Sequence, residues 1–215
     1  MKCVYLPKKI SALIFDIDNT LYSNKDYAHE QVDVQVRAFA RLKHITAEEA
    51  RLMVQTERDM WAQAHNGDQI TLANIMIKFG ISIDQIIEWR NKLIKPEQYL
   101  KNDDRLIREI GELATKYKLI AITNNPVSTG RRNLDAIGIG SFFEHVIGLD
   151  TTGLSKPAPA PFIKAFEMLG VPSDEIVSIG DRYAVDIATP VALGMGGILV
   201  TGPEDIYALM KEKIL

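Results

Sequence analysis

From Asp103 onward, short apolar runs of strand length alternate with stretches at helical spacing. That alternation restricts the fold more than any other property of the chain. Leu119-Ile120-Ala121-Ile122, Glu175-Ile176-Val177-Ser178-Ile179 and Gly197-Ile198-Leu199-Val200 read as strands, and His145-Val146-Ile147-Gly148 as a shorter one. Runs of this kind, apolar at successive positions, suit strands covered on both faces. Between them the spacing predicts helices over Asp103–Lys116, Ser128–Ile137 closed by Gly138, Pro159–Leu169 closed by Gly170, and Ala184–Leu193, with a last helix opened by Pro203. Repeated β-α units imply an α/β domain, with a parallel sheet and helices on both faces.

One strand stands apart from the rest, at Ser11–Asp16. The stretch from Tyr22 to Leu100 reads as helices. Thr46-Ala47-Glu48-Glu49 fits a capping box, with Thr46 as N-cap and Glu49 reaching back. Asn66-Gly67-Asp68 breaks the helix behind it, the next runs from about Gln69 to Phe79 and stops at Gly80, and another begins near Asp84. The expected organisation is an α/β core of residues 1–21 and 101–215, interrupted by a helical insertion of residues 22–100.

Composition narrows the function classes. The chain has 215 residues, 47% of them apolar, enough to core one large domain or one domain carrying an insertion. A formal net charge of -3 offers no basic footprint for a nucleic-acid polymer, while small anionic substrates need only a local cluster of cations. Cys3 is the single cysteine, so no intramolecular disulfide forms. With no secretory signal pattern, this points to a reducing cytoplasm. No stretch approaches the roughly 18 apolar residues of a membrane span.

In sheets of this kind, ligands bind beyond the carboxyl ends of the strands. The first strand ends in Asp16-Ile17-Asp18-Asn19-Thr20. Two carboxylates one residue apart share a side if the strand continues, and at about 4–6 Å they repel by a few kcal/mol at an effective dielectric near 20. A cation or a shared proton relieves this, which suggests a Mg²⁺-assisted carboxylate site with one Asp as nucleophile. The alternative is a plain turn, since Asp, Asn and Thr all favour turns and caps. Two more strands end in Thr123-Asn124 and in Gly180-Asp181, with Asp186 five residues on. Lys156, stiffened by Pro157, lies on a loop between them. Taken singly, a strand-end hydroxyl is a helix cap and a loop lysine is solvated. Their joint order and placement set them apart.

These residues resemble the four motifs of the haloacid dehalogenase superfamily of phosphohydrolases: Asp16-Ile17-Asp18-Asn19-Thr20, then Thr123, then Lys156, then Gly180-Asp181 with Asp186. The wording Asp-Ile-Asp-Asn-Thr-Leu-Tyr is also similar to a pyrimidine 5′-nucleotidase-like branch. The resemblance implies a Rossmann-like core with a helical cap and a Mg²⁺-dependent phosphatase acting on a small-molecule phosphate monoester. It implies Asp16 as nucleophile forming an aspartyl-phosphate, and Asp18 as general acid and base. Asp16, Asp181 and the Asp18 carbonyl would bind Mg²⁺, with Thr20 behind them and Asp186 either behind them or a ligand itself. Thr123 and the Asn124 N–H would hold phosphoryl oxygens, and Lys156 would balance the carboxylates and stabilise transition-state charge.

Thr20 favours hydrolysis, since related mutases tend to carry an aliphatic residue there. Asp18 argues against the dehalogenases, which need no such acid. Asn19 stands where Gly is frequent, and Val185 where Asn is often found. Arg182 reads as solvated, with a substrate anion as its other reading. The alternatives are a sugar-phosphate mutase using the same intermediate, and a catalytically idle binding or regulatory protein of the same fold. Tyr22, Tyr27, Trp61, Trp89 and Met76 read as core packing rather than substrate contacts. His29, His44, His65 and His145 show no metal-ligand spacing. The sequence leaves monomer or homodimer open.

Overall fold

The structure, a computed structural model, describes residues 1–67 and 70–211. The expected break and helix start at Asp68 and Gln69 lie outside the described residues. The strands are β1 (Lys2–Tyr5), β2 (Ala12–Phe15), β3 (Lys118–Ile122), β4 (His145–Ile147), β5 (Ile176–Gly180) and β6 (Gly196–Leu199). They form one sheet in the order β1-β6-β5-β2-β3-β4. All neighbouring pairs are parallel except β1 with β6. The chain therefore has an α/β fold with a mostly parallel sheet.

The sequence reading missed β1. Its pattern Lys-Cys-Val-Tyr is mostly exposed and lies at the sheet edge, so no buried apolar run marks it. By contrast β2 and β5 are buried at every position, as continuous apolar runs demand. Alternate residues serve opposite faces. Ala12, Ile14, Ile120, Ile122 and Ile176 join Phe162, Ala165 and Leu169 in one core cluster. On β2 the alternating partners, Leu13 and Phe15, are likewise buried, and Phe15 meets Phe143 edge-on with centroids 5.9 Å apart. From β2 the chain moves to β3 and β4 on one side and later to β5 and β6 on the other. The switch point thus lies at β2, where such sheets open a crevice beyond the strand ends.

The chain divides into two compact units, Met1–Asn24 with Pro96–Leu215, and Lys25–Lys95. The segments 22–24 and 96–100 accordingly fall with the α/β unit. The helical unit contains α1 (Lys25–Lys43), α2 (Ala47–Ala64), α3 (Leu72–Lys78) and α4 (Ile83–Leu93). The capping box at Thr46 is present in full: its hydroxyl accepts from the Glu49 N–H, and the Glu49 carboxylate accepts from the Thr46 N–H. Phe39, Val54, Ile75, Met76 and Ile86 form its core, with Trp61 and Trp89 packed against it. Tyr27 is fully buried. Burial gives Tyr27 and Met76 a packing role, Trp61 and Trp89 are partly buried against the same cluster, and Tyr22, in the other unit, has a second role taken up below.

The remaining helices belong to the α/β unit: α5 (Asp104–Ala114), α6 (Val127–Ala136), α7 (Leu149–Thr152), α8 (Pro159–Leu169), α9 (Ala188–Ala192) and α10 (Pro203–Lys211). Asp103 caps α5 through its carboxylate, and Gly170 ends α8 in the left-handed region, at φ 63°. The helix expected over Ala184–Leu193 opens instead as a π-helical turn, Tyr183–Ile187, before α9. Such turns recur at functional sites, and this one carries Asp186.

Gly148 closes β4 in a confined place. A Cβ there would lie 2.3 Å from the Val127 nitrogen and 2.7 Å from the Asn125 oxygen, both main-chain atoms. Gly148→Ala should therefore cost about 3 kcal/mol, the upper end of typical overpacking. A lower urea midpoint with an unchanged slope would register it.

Candidate active site

Each expected residue lies at or just past a strand end or on a loop that returns to one, except Asp186, which the π-helical turn carries. Ladder hydrogen bonds persist one residue beyond β2 and β3: the Asp16 N–H donates to Ile179 O at 2.9 Å, and the Thr123 N–H to Ile147 O at 2.9 Å. After Asp16 the chain turns sharply. The Thr20 and Leu21 N–H groups both donate to Ile17 O, and Asn19 takes a left-handed φ of 61°. Asn tolerates that region better than most residues, so it serves where Gly would. The turn returns Thr20 to Asp16, and its hydroxyl donates to Asp16 Oδ2 at 3.0 Å.

Lys156 occupies the centre. Its Nζ lies 2.5 Å from Asp16 Oδ1 and 2.7 Å from Asp186 Oδ1, and all three side chains are buried. Asn124 fixes the lysine's main chain. Its Oδ1 accepts from the Lys156 N–H at 2.8 Å, and its Nδ2 donates to the Lys156 carbonyl at 3.1 Å. Sequence reasoning had given Asn124 only a backbone role. Asp186 is placed by the π-helical turn. Its Oδ2 accepts from the Arg182 N–H at 3.0 Å, and its carbonyl from the Ser178 hydroxyl at 2.8 Å. Gly180 gives it room, because a Cβ there would sit 2.3 Å from the Asp186 Cβ. The Arg182 side chain is half exposed, with its Nε 3.7 Å from Asp181 Oδ1 and 3.9 Å from Asp186 Oδ2.

Asp18 has different surroundings. Its Oδ2 lies 3.4 Å from Thr123 Oγ1 and 3.3 Å from Asn125 Nδ2. Its Oδ1 accepts from the Tyr22 hydroxyl at 2.5 Å. Tyr22 and Asn125 were missed as site residues. Asn125 had a signal, as the second amide at the end of β3, whereas Tyr22 was hidden by its apolar ring.

A family model described as haloacid dehalogenase-like hydrolase matches residues 10–194. The chain belongs to this family. The uracil-derivative phosphatase YigB of Escherichia coli, named for 5-amino-6-(5-phospho-D-ribitylamino)uracil, is 27% identical over 208 residues, covering 87% of this chain and 82% of its own. A glyceraldehyde 3-phosphate phosphatase of Methanopyrus kandleri is also 27% identical, over 195 residues, covering 86% and 82%. The crystal structure of a phosphatase of the same family from Thermococcus onnurineus superposes with a TM-score of 0.60 at 22% identity, covering 89% of this chain and 86% of that one. That last likeness concerns the fold.

In this haloacid dehalogenase-like hydrolase, Asp16, Asp181 and Asp186 each offer a carboxylate oxygen within 4.8 Å of the others. Among the described residues, the four histidines join no such group. Asp181 Oδ1 is buried and accepts no hydrogen bond from the described residues, while Arg182 Nε stands 3.7 Å away. Three carboxylates against the buried Lys156 ammonium and the half-exposed Arg182 guanidinium still leave an excess of one negative charge. This oxygen-rich, acidic donor set suits a hard divalent cation.

The protonation equilibria reflect the same imbalance. Burial pushes the Asp16 carboxyl up to about 7, Lys156 draws it down, and Asp186 and Asp18 add to the rise. Burial also raises Asp181. Burial disfavours the Lys156 cation, but Asp16 and Asp186 outweigh it and its pKa is raised. A carboxyl whose pKa is higher folded than unfolded holds its proton more tightly in the folded state. Stability is then lost as pH rises between the two values, here from 3.8 to about 7. In the presence of a chelator, Asp16→Asn should therefore gain stability relative to wild type across that window. Urea unfolding of both proteins over the range measures it, and parallel pH profiles would contradict the assignment.

Proposed function

We propose that this hydrolase cleaves the phosphate monoester of a small molecule with Mg²⁺, through an aspartyl-phosphate on Asp16. One observation carries the reading: the two carboxylates of a single strand end have opposite environments. Asp16 is buried among Lys156, Thr20 and Asp186, whereas Asp18 sits in a cradle of neutral donors beside Thr123. Carboxylates separated in this way can take different chemical roles.

Asp16 attacks phosphorus as the ester P–O bond breaks, and the departing oxygen takes a proton from Asp18. Asp18, now a carboxylate, removes a proton from water. The resulting oxygen attacks the same phosphorus, releasing orthophosphate and the Asp16 carboxylate. Thr123 and the Asn124 N–H hold phosphoryl oxygens, and Lys156 faces the charge that builds on them. Asp16, Asp181 and the Asp18 carbonyl would hold Mg²⁺, with Asp186 behind or among them; the ion when bound offsets phosphoryl charge.

The helical unit carries the cap role in this reading, and with it the choice of ester. YigB is named for a phosphorylated uracil derivative, which makes pyrimidine-bearing esters the first to screen. Glyceraldehyde 3-phosphate and phosphoglycolate follow, from the names of other relatives. No helix among the described residues is long and apolar enough to cross a membrane. The free thiol of Cys3 suits a reducing compartment, and we place the reaction in the cytoplasm.

Phosphate release from such a panel with Mg²⁺ should identify a substrate, and chelation should abolish turnover. Asp16→Asn should lower kcat at least roughly a thousandfold, as for other covalent nucleophiles, with its circular dichroism unchanged. Wild-type-like hydrolysis by that variant would remove Asp16 as nucleophile.

A further inference from the structure

Tyr22 lies six residues beyond Asp16, with its ring buried and its hydroxyl on a catalytic carboxylate. The left-handed residue at Asn19 turns the chain so that the backbones of Asp18 and Tyr22 pair side by side. This places the Tyr22 hydroxyl 2.5 Å from Asp18 Oδ1. Behind it, Asn133 on α6 is fully buried and donates its Nδ2 to the Tyr22 oxygen at 3.1 Å.

The direction of this chain of bonds is fixed by chemistry. A carboxamide NH₂ only donates, so the phenol oxygen accepts from Asn133 and aims its own proton at Asp18. On the other carboxylate oxygen the pattern is looser. The Asn125 N–H donates to Thr123 Oγ1 at 3.1 Å, which leaves the Thr123 proton for Asp18 Oδ2, yet that distance is 3.4 Å. Asn125 Nδ2 reaches the same oxygen at 3.3 Å. One oxygen of Asp18 is thus held by a short bond with a buried backing group, and the other by long bonds to groups at the end of β3.

We propose that Tyr22, backed by Asn133, is the positioning residue for Asp18, pinning Oδ1 so that Oδ2 is the oxygen that exchanges a proton with the leaving group. The proposal rests on the reading of Asp18 as general acid. Packing alone would account for the buried ring, and a Phe would fill the same space. What packing does not require is a hydroxyl bonded to the carboxylate and supported from behind by an amide.

The test separates orientation from packing by varying the leaving group. An alkoxide must be protonated as it departs, whereas p-nitrophenolate leaves without help. The ratio of kcat/KM for an alkyl phosphate to that for p-nitrophenyl phosphate therefore reports on Asp18 as acid. Asp18→Asn sets the reference and should depress that ratio. Tyr22→Phe should depress it by about tenfold, a part of the roughly hundredfold or more that a positioned acid contributes. Asn133→Ala should shift it the same way by less, and it carries the test should Tyr22→Phe not fold. A ratio unchanged in both Tyr22→Phe and Asn133→Ala, with Asp18→Asn still selective, would overturn the proposal while leaving Asp18 as acid. An unselective Asp18→Asn would instead overturn the general-acid reading, and the positioning role with it.

Discussion

Lys156 and its two carboxylates set the terms for the rest of the α/β unit. The ammonium and Asp16 are 140 residues apart in sequence, yet they meet in a buried space shared with Asp186. Removing three charges from water is unfavourable unless geometry and extra hydrogen bonds compensate. Thr20 supplies one such bond to Asp16, the Arg182 N–H supplies one to Asp186, and Asn124 holds the lysine's backbone on both sides. Loss of Lys156 would leave both acids without their cation in the interior, and breaking a buried pair in that way costs about 3–5 kcal/mol.

The sheet makes that meeting possible. Because β2 lies between β5 and β3, the loops after all three strands open at the same end. The site then sorts itself chemically. Asp16, Asp181 and Asp186 gather together, the first and last of them on the lysine, while Asp18 is turned toward the hydroxyl and amide groups at the end of β3. A two-residue spacing in sequence thus yields two carboxylates with unlike neighbours.

Much of this was legible in the chain. The strand runs at 119–122 and 175–179, the capping box at Thr46 and the glycine stop at 170 were read from periodicity and backbone preference, which depend on near neighbours. The strand-end residues were legible because a parallel sheet gathers such ends. The unread features depend on long-range partners. β1 is an exposed edge strand paired with β6. The π-helical turn exists where Asp186 must face Lys156, and its sequence still looks helical. The Asn124 side chain bonds Lys156, 32 residues away, and Tyr22, although its bond to Asp18 spans only four residues, is backed by Asn133, 111 residues away; local patterns carry no record of either distant partner.

Gly180 illustrates a different kind of constraint. Its lack of a side chain supplies no bond and no flexibility that the strand needs. It supplies clearance for the Asp186 Cβ and carboxylate. Positions 180 and 186 are consequently locked together in any lineage descended from this chain. A side chain gained at 180 must coincide with retreat of the acid at 186, so each residue narrows the mutations open to the other although no hydrogen bond is needed to link them.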